Sequence, residues 1–580
     1  MPRVHAPGKT VLFVTRASNA KASTPARDVL ACSQQLPQPS SPQSSKQNSQ
    51  TVPTPINLNH LRVLLSGYHQ EHYILDGFTY GFKIGYEGPD YCISLDNHRS
   101  AHTYHDQLLA KVQREITLGR VAGPFDKIPF TSCRINPLGC IEKKEKGTYR
   151  MILDLSLPDN VSVNSFIPDS SSNVQYESFD TVVAHILKNG VGSLVAKADI
   201  EDAFRIIPVH PQDYHLLCYK LGQSYYHDLV LPMGCRSSCK IFETFSSFLQ
   251  WLIQRVYGFT YVTHILDDFI FVGSPGTYSC MQGIRAFVAL CKYLRVPIKQ
   301  SKTVYPTTTV SVYGIEIDTL AMTARLPKEK IDKAMLLIDR LLGLDSCCLR
   351  DLQQLTGLLN FCCKVVPPGR AFLRRIWNLS SGLLSSKSRN RVVQLTASAK
   401  HDMSAWRLFL QQFNGVRLLD QIQYLPSNGH HLYTDASSSV GYGAIMGHYW
   451  FYGTWGQAEK QHTILTLELV PIVMALHMFS NHFRNKRLTI HTDNLALVHI
   501  LNRQSTHCKH TMRLIRKVVI RSLLFNVKIV ACHISSKNNL LCDLLSRNQV
   551  SEVTRQAPWL NQEPSLIPPE CLPSCLLQTT

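Results

Sequence analysis

Two stretches of the chain combine short apolar runs with apolar residues at helical spacing, as mixed α/β domains do. They cover residues 110–320 and 427–547, and their short runs are typical of half-buried strands. Between them, residues 328–342 and 352–361 repeat apolar side chains every three or four positions, the spacing of amphipathic helices. The pattern therefore predicts a multidomain α/β (α+β) protein in which a helical segment joins two α/β regions.

The two ends of the chain lack this periodicity. Residues 20–55 are rich in Ser, Gln and Pro and have almost no large apolar side chain, so burial cannot offset the entropy of ordering them. Residues 548–580 carry several prolines and little periodicity. We therefore expect a disordered segment over residues 1–55 and a flexible tail over residues 548–580.

The charge balance points to an acidic partner. The 580 residues include 60 Lys and Arg against 41 Asp and Glu, a formal net charge of +19. Such a surplus favours nucleic acid as the partner, with an unrelated basic protein as the alternative. No stretch approaches the ~20 apolar residues of a membrane-spanning helix, so we expect a soluble protein with no membrane partner. The expectation of an intracellular location, cytoplasmic or nuclear, comes from the cysteine usage described next.

The 18 cysteines are scattered singly or as neighbours rather than in the pattern of a secreted disulfide framework. Two Cys-x-x-x-Cys pairs, Cys235 with Cys239 and Cys571 with Cys575, lack partner ligands at zinc-finger spacing. We expect a reducing environment and no zinc site.

Three aspartates follow apolar strands in the first α/β region. Residues 194–200 have one apolar face and a second face that carries Asp199, while Asp267 and Asp268 separate two apolar runs within residues 261–272, as in a tight hairpin. Three converging carboxylates repel one another unless cations lie between them, and Mg²⁺ prefers such ligands. Two Mg²⁺ ions there could activate a hydroxyl and neutralise a leaving phosphate; plain turn chemistry for Asp-Asp is the alternative.

Four acids belong to four separate elements of the second α/β region. Asp435 and Asp493 each follow a strand pattern, and Asp543 belongs to a closing helix. Glu468 precedes the apolar face of another helix, and we place it at the helix start because Pro471 is tolerated only in a first turn. Each acid taken alone is more commonly a solvated charge or a helix cap.

Four motifs of the first region resemble those of reverse transcriptases and occur in the same order. They are residues 198–204 (ADIEDAF), 231–234 (LPMG), 265–268 (ILDD) and 313–315 (YGI). The resemblance implies a right-hand polymerase with fingers, palm and thumb. In that fold Asp199, Asp267 and Asp268 are the catalytic carboxylates of the palm and bind two Mg²⁺, which Mn²⁺ could replace.

The same resemblance implies nucleotide-binding residues. Phe204 would collide with a ribose 2′-hydroxyl and so select deoxynucleotides, with a core aromatic as the alternative. Residues 141–150 (IEKKEKGTYR) look like the fingers hairpin, in which Lys143 and Arg150 grip the incoming triphosphate. An exposed basic turn is the alternative, less so for Arg150 because its planar guanidinium suits phosphate oxygens.

Two positions depart from familiar retroviral forms. Met233 replaces a polar residue after Leu-Pro, and residues 265–266 (IL) replace an aromatic-containing pair. Neither change removes a metal ligand, but at both positions the resemblance does not carry over primer grip, nucleotide fit or fidelity. Met233 and Gly234 complete the substrate-binding set that the resemblance implies.

The second region resembles ribonuclease H. The resemblance implies a mixed-sheet domain in which Asp435, Glu468, Asp493 and Asp543 are catalytic and hold two Mg²⁺, so that a metal-activated water cuts the RNA strand of an RNA–DNA hybrid. The matching segments are residues 434–437 (TDAS), 467–469 (LEL), 492–494 (TDN) and 539–547 (NLLCDLLSR).

Two further features of this region have open alternatives. His533 either carries protons during cleavage or caps the last strand, and we favour the structural role. Four basic residues at helical spacing form either a ridge along the hybrid backbone or a solvated face. They are Arg513, Arg516, Lys517 and Arg521.

The resemblance spans about residues 57–547 and is greatest to retrotransposon polyproteins of the DIRS type, which encode a tyrosine recombinase, followed by Ty3-like long-terminal-repeat elements. It implies an RNA template, a DNA primer, an RNA–DNA hybrid and deoxynucleoside triphosphates as partners. A decayed or domesticated copy that binds nucleic acid without catalysis is the alternative, although all seven carboxylates are present. A DNA-templated polymerase is disfavoured because only a hybrid intermediate requires ribonuclease H.

These inferences divide the chain into six parts. We expect a disordered N-terminal segment (1–55), an N-terminal helical extension (56–110), the fingers and palm (111–320), a helical thumb and connection (321–426), a ribonuclease H-like domain (427–547) and a flexible tail (548–580).

Overall fold

The computed structural model describes residues 52–143, 147–381, 391–412, 416–418, 430–484, 486–506, 508–525 and 527–577. The predicted disordered segment therefore lies almost wholly outside the described residues, as does the tip of the predicted fingers hairpin at residues 144–146. No helix in the described ranges combines the length and apolarity needed to cross a membrane.

Helices and strands alternate along the chain. The helices are α1 Leu58–Leu65, α2 Glu71–Tyr80, α3 Arg99–Thr103, α4 His105–Thr117, α5 Phe179–Asn189, α6 Ser238–Val256, α7 Ser279–Leu294, α8 Lys328–Leu342, α9 Leu349–Cys362, α10 Arg374–Asn378, α11 Ala397–Gln412, α12 Ile464–Met478, α13 Ser480–Phe483, α14 Leu495–Arg503, α15 Lys509–Leu524, α16 Leu540–Ser546, α17 Val550–Gln556 and α18 Pro573–Leu577. The strands are β1 Ile93–Ser94, β2 Val121–Phe125, β3 Arg134–Ile135, β4 Leu138–Glu142, β5 Tyr149–Leu153, β6 Leu194–Asp199, β7 Cys218–Leu221, β8 Ser224–Asp228, β9 Val262–Ile265, β10 Asp268–Gly273, β11 Val304–Thr307, β12 Thr309–Val312, β13 Ile315–Asp318, β14 Thr323–Arg325, β15 Ser346–Cys348, β16 Val392–Gln394, β17 Val416–Leu418, β18 His431–Ala436, β19 Gly441–Met446, β20 Tyr449–Thr454, β21 Arg487–Thr492 and β22 Lys528–His533.

Contacts divide the chain into two compact units that interleave in sequence. Unit 1 comprises residues up to 174 together with 200–260 and 285–298, and unit 2 comprises residues 175–199, 261–284 and 299 onwards. Each unit is built from several separate segments of the sequence, so these units do not test the linear domain boundaries given above. Those boundaries stay predictions.

Unit 1 contains a five-stranded sheet in the order β1-β3-β7-β8-β2 and the separate β4-β5 hairpin. Helix α2 and the loop between α1 and α2 pack against α6 through aromatic side chains. Tyr68 contacts Phe248 and Trp251, with ring centroids 5.2 Å and 5.1 Å away, and Phe78 meets Phe245 edge-on at 4.9 Å. The residues expected to form a separate helical extension are thus part of the unit 1 core.

Unit 2 carries the other sheets, of which two matter for function. One has the order β11-β6-β10-β9, and the other has the order β20-β19-β18-β21-β22. In the second sheet β18 and β21 are parallel neighbours while β18 and β19 are antiparallel, which confirms the mixed sheet. The structure confirms the predicted fold class, a mixed α/β chain with two successive α/β regions.

The C-terminal residues differ from the flexible tail that we expected. Helix α17 follows residue 548, and Val553, Ala557 and Leu560 are buried in a cluster with Trp450. The backbone amide of Ser565 donates to the carbonyl of Trp450 at 2.7 Å, so this segment lies along edge strand β20. These three residues span the end of one short helix and the segment after it, which is too brief for their apolar spacing to stand out in the sequence.

A buried ion-pair network joins α10, α11 and α15 within unit 2. Asp402 is fully buried, and its two carboxylate oxygens lie 3.4 Å from guanidinium nitrogens of Arg375 and Arg516. Burial raises the pKa of Asp402 to about 6, while the two arginines oppose that rise. At pH 8 the carboxyl group of Asp402 is ionised. Removing this side chain would therefore leave the buried Arg516 without its counter-ion.

We expect Asp402→Ala to lower the free energy of unfolding by about 3–5 kcal/mol, because removing one member of a buried ion pair strands the other charge. Urea denaturation at pH 8 measures this change. Asp345→Ala is the matched control, because Asp345 also pairs with α11, through Lys400 at 3.1 Å, but is fully exposed; that variant should unfold as the parent does. Equal stability of both variants would contradict the prediction.

Candidate active sites

The first acid group lies on the β6-β10-β9 part of its sheet. Strands β6 and β10 are antiparallel, and Asp268 is the direct partner of Asp199. Asp267 occupies the turn between β9 and β10, where Ile265 pairs with Asp268. The turn residues are therefore Leu266, which has a φ of +54°, and Asp267, so Asp268 is a strand residue rather than part of the turn.

The electrostatics show that these three acids are close. Asp199 is 3% exposed. The pKa of Asp267 is raised to about 6, chiefly by burial and in addition by the charges of Asp199 and Asp268, against the opposing effect of Lys302. A cluster of carboxylates that repel one another in a buried setting is therefore present, as the sequence predicted.

Two lysines partly neutralise this group: Lys197, which alternation places on the strand face of Asp199, and Lys302, for which no sequence motif gave a signal. Lys302 Nζ lies 2.7 Å from Asp199 Oδ2, and Lys197 Nζ lies 3.3 Å from Asp268 Oδ1. The second contact lacks hydrogen-bonding geometry, and Asp268 Oδ1 is buried without a hydrogen-bond donor. A buried, unsatisfied carboxylate oxygen beside two other acids fits a cation ligand.

The predicted nucleotide-binding residues lie in unit 1. Lys143, Arg150 and Met233 line one cavity there, together with Lys111 and the buried Arg205. The structure thus brings together two cations that the sequence assigned to a triphosphate and adds Lys111, for which no motif gave a signal. This concentration of cations suits a polyanionic ligand.

Acidic residues fix the opposite wall of that cavity. Arg205 donates to Glu115 Oε2 at 2.9 Å and to Asp228 Oδ1 at 2.8 Å, and both acids are buried. Arg120 pairs with Asp202 at 2.8 Å. These acids of the cavity lining are therefore charge-paired with arginines.

Phe204 and Gly234 are not among the described residues that line this cavity. Phe204 is half-buried and meets Phe242 edge-on, with centroids 5.7 Å apart. Gly234 has a φ of +119°, and a Cβ there would lie 2.4 Å from the carbonyl oxygen of Leu153. Only glycine fits that position, which gives Gly234 a backbone role.

The second acid group forms where α12, α16 and two parallel strands of the mixed sheet meet. Burial raises the pKa of Asp435 to about 6, with Asp493 and Asp543 adding to the rise. Burial likewise raises the pKa of Glu468 to about 7, with further contributions from Asp493 and Asp435. The four acids predicted from separate elements are therefore neighbours.

Helix α16 reaches Asp435 because the facing strand residue has no side chain. A Cβ on Gly443 would lie 2.2 Å from Leu545 Cβ, so a larger residue would push the helix outward. Asn539 Nδ2 donates to the Thr434 carbonyl at 3.0 Å. These contacts place Asp543 over the sheet.

Polar neighbours hold the remaining acids. Asn494 Nδ2 donates to Glu468 Oε1 at 3.1 Å, and Ser536 Oγ donates to Asp493 Oδ2 at 2.7 Å. Arg547 Nε donates to Asp543 Oδ1 at 3.0 Å. Glu468 Oε2 is buried without a hydrogen-bond partner, and an unsatisfied oxygen facing other acids fits a cation ligand.

Within the described ranges, no three or more His, Cys, Asp or Glu side chains are already arranged around a single metal position.

The structure corrects the predicted start of α12. The helix begins at Ile464, so Pro471 lies inside it and Glu468 stands in its second turn. An interior proline costs roughly 3 kcal/mol through its missing N–H and ring clash. Nearly every side chain around Pro471 is buried, and this packing offsets the cost.

The structure also corrects the basic ridge on α15. Arg516 is 7% exposed and donates to the carbonyl of Ala371 besides pairing with Asp402, and Lys517 donates to the carbonyl of Leu576 at 3.2 Å. Buried Arg516 therefore cannot belong to a surface ridge, and the ammonium group of the partly buried Lys517 is engaged by a backbone carbonyl. His533 Nε2 contacts the carbonyl oxygen of Asp493 at 3.1 Å, which favours the structural role that we preferred.

Comparison with known families identifies the two regions. Residues 141–317 match the reverse transcriptase (RNA-dependent DNA polymerase) family, and residues 426–520 match the RNase H-like domain found in reverse transcriptase. The chain therefore carries both domains, which indicate RNA-directed DNA polymerase and ribonuclease H activities. Domains of these families generally use divalent metal ions. No curated protein matches the sequence.

Solved structures of the foamy viral protease-reverse transcriptase are similar to the chain. One, in complex with double-stranded DNA, is 14% identical to this chain with a TM-score of 0.45. The match covers 85% of this chain and 84% of the viral chain. Another, in complex with an RNA/DNA hybrid, is 13% identical to this chain with a TM-score of 0.42. The match covers 84% of this chain and 64% of the viral chain.

Proposed function

We propose that the chain extends a DNA primer along an RNA template with deoxynucleoside triphosphates and degrades the RNA of the hybrid that results. The direct pairing of Asp268 with Asp199, beside Asp267, carries the polymerase half of this proposal. The convergence of four acids in the mixed-sheet domain carries the nuclease half.

Each acid group is proposed to hold two Mg²⁺ ions. Asp199, Asp267 and Asp268 would be the ligands of the first pair. Two such ions supply activation of an attacking hydroxyl or water and neutralisation of the leaving oxygen. The unsatisfied Asp268 Oδ1 supports this assignment.

In the nuclease group the proposed ligands are Asp435, Glu468, Asp493 and Asp543. Glu468 Oε2 is the buried oxygen without a partner. Asn494 and Ser536 orient the second carboxylate oxygens of Glu468 and Asp493, so fewer rotamers must be fixed when substrate binds.

For the nucleotide, Lys143 and Arg150 are proposed to bind the triphosphate, since both line the cationic cavity of unit 1. Met233 lines the same cavity and would shape its apolar side, while Gly234 keeps the backbone in place. Arg205 stabilises the cavity wall through Glu115 and Asp228.

One experiment tests the main proposal. Purified protein is given a labelled DNA primer on an RNA template with deoxynucleotides and Mg²⁺, and primer length and template integrity are followed together. We expect extension and RNA cleavage, both lost in excess chelator and restored by Mg²⁺ or Mn²⁺. Binding of the primer–template without extension would instead support an inactive copy that binds nucleic acid.

Phe204 is proposed to be the residue that excludes ribonucleotides. We expect Phe204→Ala to raise the efficiency of ribonucleotide incorporation roughly tenfold to a hundredfold, because it removes one steric clash worth about 1–3 kcal/mol. Deoxynucleotide incorporation should persist. The measurement is the ratio of kcat/KM for the two sugars.

Phe204→Tyr is the matched control, since it keeps the ring and should keep the selectivity. If Phe204→Ala is active and its sugar selectivity is unchanged, Phe204 is only a packing partner of Phe242.

We propose that a retrotransposon encodes this chain, and we prefer a DIRS-type element over a Ty3-like element. The matched reverse transcriptase and RNase H-like domains support a retroelement polyprotein. The preference for the DIRS type rests on the sequence likeness described above.

A further inference from the structure

The residue after Phe204 is the centre of a buried charge network in unit 1. Arg205 shares the short 3-10 helix Ala203–Ile206 with Phe204. Its guanidinium group donates to Glu115 Oε2 at 2.9 Å and to Asp228 Oδ1 at 2.8 Å. Because Glu115 belongs to α4 and Asp228 ends β8, the helix that carries Phe204 is tied to two other elements.

Burial makes this network costly to break. The side chains of Glu115 and Asp228 are 7% and 1% exposed, and that of Arg205 is 11% exposed. Burial raises the pKa of Asp228, and the charge of Arg205 opposes that rise. The second carboxylate oxygen of Asp228 has no hydrogen-bond partner in the described part of the chain, so this acid depends on Arg205. A buried ion pair resists the removal of either partner, which holds Arg205 in place.

A second ion pair holds the start of the same 3-10 helix. Asp202 precedes the helix with a φ of +54°, a backbone conformation that residues other than glycine rarely adopt. Its carboxylate accepts a hydrogen bond from Arg120 at 2.8 Å. Arg120 Nη1 also lies 3.9 Å from Glu115 Oε1, so Glu115 is shared by both groups of ion pairs.

The ring of Phe204 has a weaker contact of its own. It meets Phe242 edge-on, with centroids 5.7 Å apart, and is half-buried. An aromatic contact of this kind contributes less than a buried ion pair. The ion pairs therefore set where the backbone of Phe204 lies. A ring can exclude a substituent only if it does not yield when the two overlap.

Arg205 also connects Phe204 to the nucleotide cavity. It lines that cavity, and its Nη1 donates to the carbonyl of Leu231 at 3.4 Å. Leu231 lies two residues before Met233, which lines the same cavity. One side chain thus sets the position of Phe204 relative to a segment that is proposed to contact the nucleotide.

We propose that Arg205 is a positioning residue for sugar selection: it holds Phe204 where its ring collides with a ribose 2′-hydroxyl. The proposal rests on the proposed function, in which Phe204 excludes ribonucleotides. In this role Arg205 acts through Phe204 rather than on the sugar. Its removal should therefore admit ribonucleotides and have little effect on deoxynucleotides, which have no 2′-hydroxyl.

The test uses Arg205→Met, which removes both ion pairs and keeps an unbranched side chain. We expect the ratio of kcat/KM for deoxynucleotide over ribonucleotide to fall roughly fivefold or more, because the ring yields to the 2′-hydroxyl. The Kd of each nucleotide on a dideoxy-terminated primer–template should show the same change in ratio without turnover. Arg205→Lys keeps the charge and should restore part of the selectivity.

Two combined variants separate positioning from stability. In Phe204→Ala/Arg205→Met the second change should cause no further loss of selectivity, because the ring through which Arg205 acts is already absent. Arg205→Met/Glu115→Gln/Asp228→Asn neutralises the buried acids that Arg205→Met leaves without a counter-ion, so it should melt closer to the parent temperature. Its selectivity should stay as low as that of Arg205→Met.

The matched control is Arg134→Met, which also removes a buried arginine of unit 1. Arg134 donates to the carbonyl of Val161 and to the hydroxyl of Tyr86. This variant should leave the sugar ratio unchanged, whatever its effect on the melting temperature.

Parent selectivity in folded, active Arg205→Met protein overturns the proposal, and so does an equal loss in Arg134→Met. Full selectivity in the triple variant would also overturn it, because stability and not position would then be the cause. If Phe204→Ala keeps the parent selectivity, sugar exclusion by Phe204 is refuted and this role of Arg205 with it. A parent that never extends a primer would defeat the proposed activity, while the ratio of Kd values would still decide the role of Arg205.

Discussion

Asp267→Asn is expected to abolish primer extension, with a loss of roughly a thousandfold or more, equivalent to about 4 kcal/mol of transition-state stabilisation. Asp267 lies in the turn beside Asp199 and Asp268, so the amide would remove one charged ligand without changing shape. Single-nucleotide extension under pre-steady-state conditions measures the effect. Binding of the primer–template should be nearly unchanged.

The same substitution should not destabilise the protein. Burial and the two neighbouring charges disfavour an ionised Asp267, so in metal-free buffer the neutral amide removes a repulsion and the melting temperature should be equal or higher. Lost activity at undiminished stability separates a functional residue from a structural one.

Asp332→Asn is the control, because Asp332 is an exposed acid on α8 of the same unit. It should extend primers as the parent does. Full extension by Asp267→Asn would remove this residue from the catalytic group.

The acid groups could be predicted because most of the motifs place an acid at or next to the end of a strand. The alternation around Asp199 predicts β6, and the apolar runs around Asp267 predict β9 and β10. Once three such elements share a sheet, the register brings the acids together. In the second domain, Asp435 and Asp493 end neighbouring parallel strands.

The residues that complete the sites could not be predicted, since they depend on tertiary contacts. Lys302 follows no motif and reaches Asp199 only because the segment before β11 passes the end of β6. Arg516 has the helical spacing of a surface residue, yet Asp402, more than a hundred positions earlier, draws it into the core.

Local rules also failed where packing outweighs them. The rule that restricts proline to a first turn misplaced the start of α12, because the burial of its neighbours outweighs the cost of Pro471. The tail prediction failed for a related reason, since Val553 and Leu560 are buried by tertiary contacts in a cluster with side chains of α16, β19 and β20.

The second large effect concerns the independence of the two acid groups. Asp493→Asn should reduce cleavage of RNA in a preformed hybrid by roughly a thousandfold or more, because phosphoryl transfer depends on positioned metal ions. It should leave primer extension over a short template intact. Asp268→Asn should show the reverse pattern.

The structural basis is that the groups share no acid and lie on different sheets. Asp268 belongs to the β11-β6-β10-β9 sheet, and Asp493 directly follows β21 of the five-stranded mixed sheet. The hydrogen bonds that orient Asp493 and Glu468, from Ser536 and Asn494, also stay within the second domain. Each substitution should therefore change only its own site.

Both activities are measured in both variants, with circular dichroism and melting temperature to confirm folding. Asp332→Asn again serves as the control and should keep both. If either single substitution removes both activities from well-folded protein, the two acid groups do not act as separate sites. If Asp493→Asn still cleaves the hybrid at the parent rate, the assignment of the second group is wrong even though its four carboxylates converge.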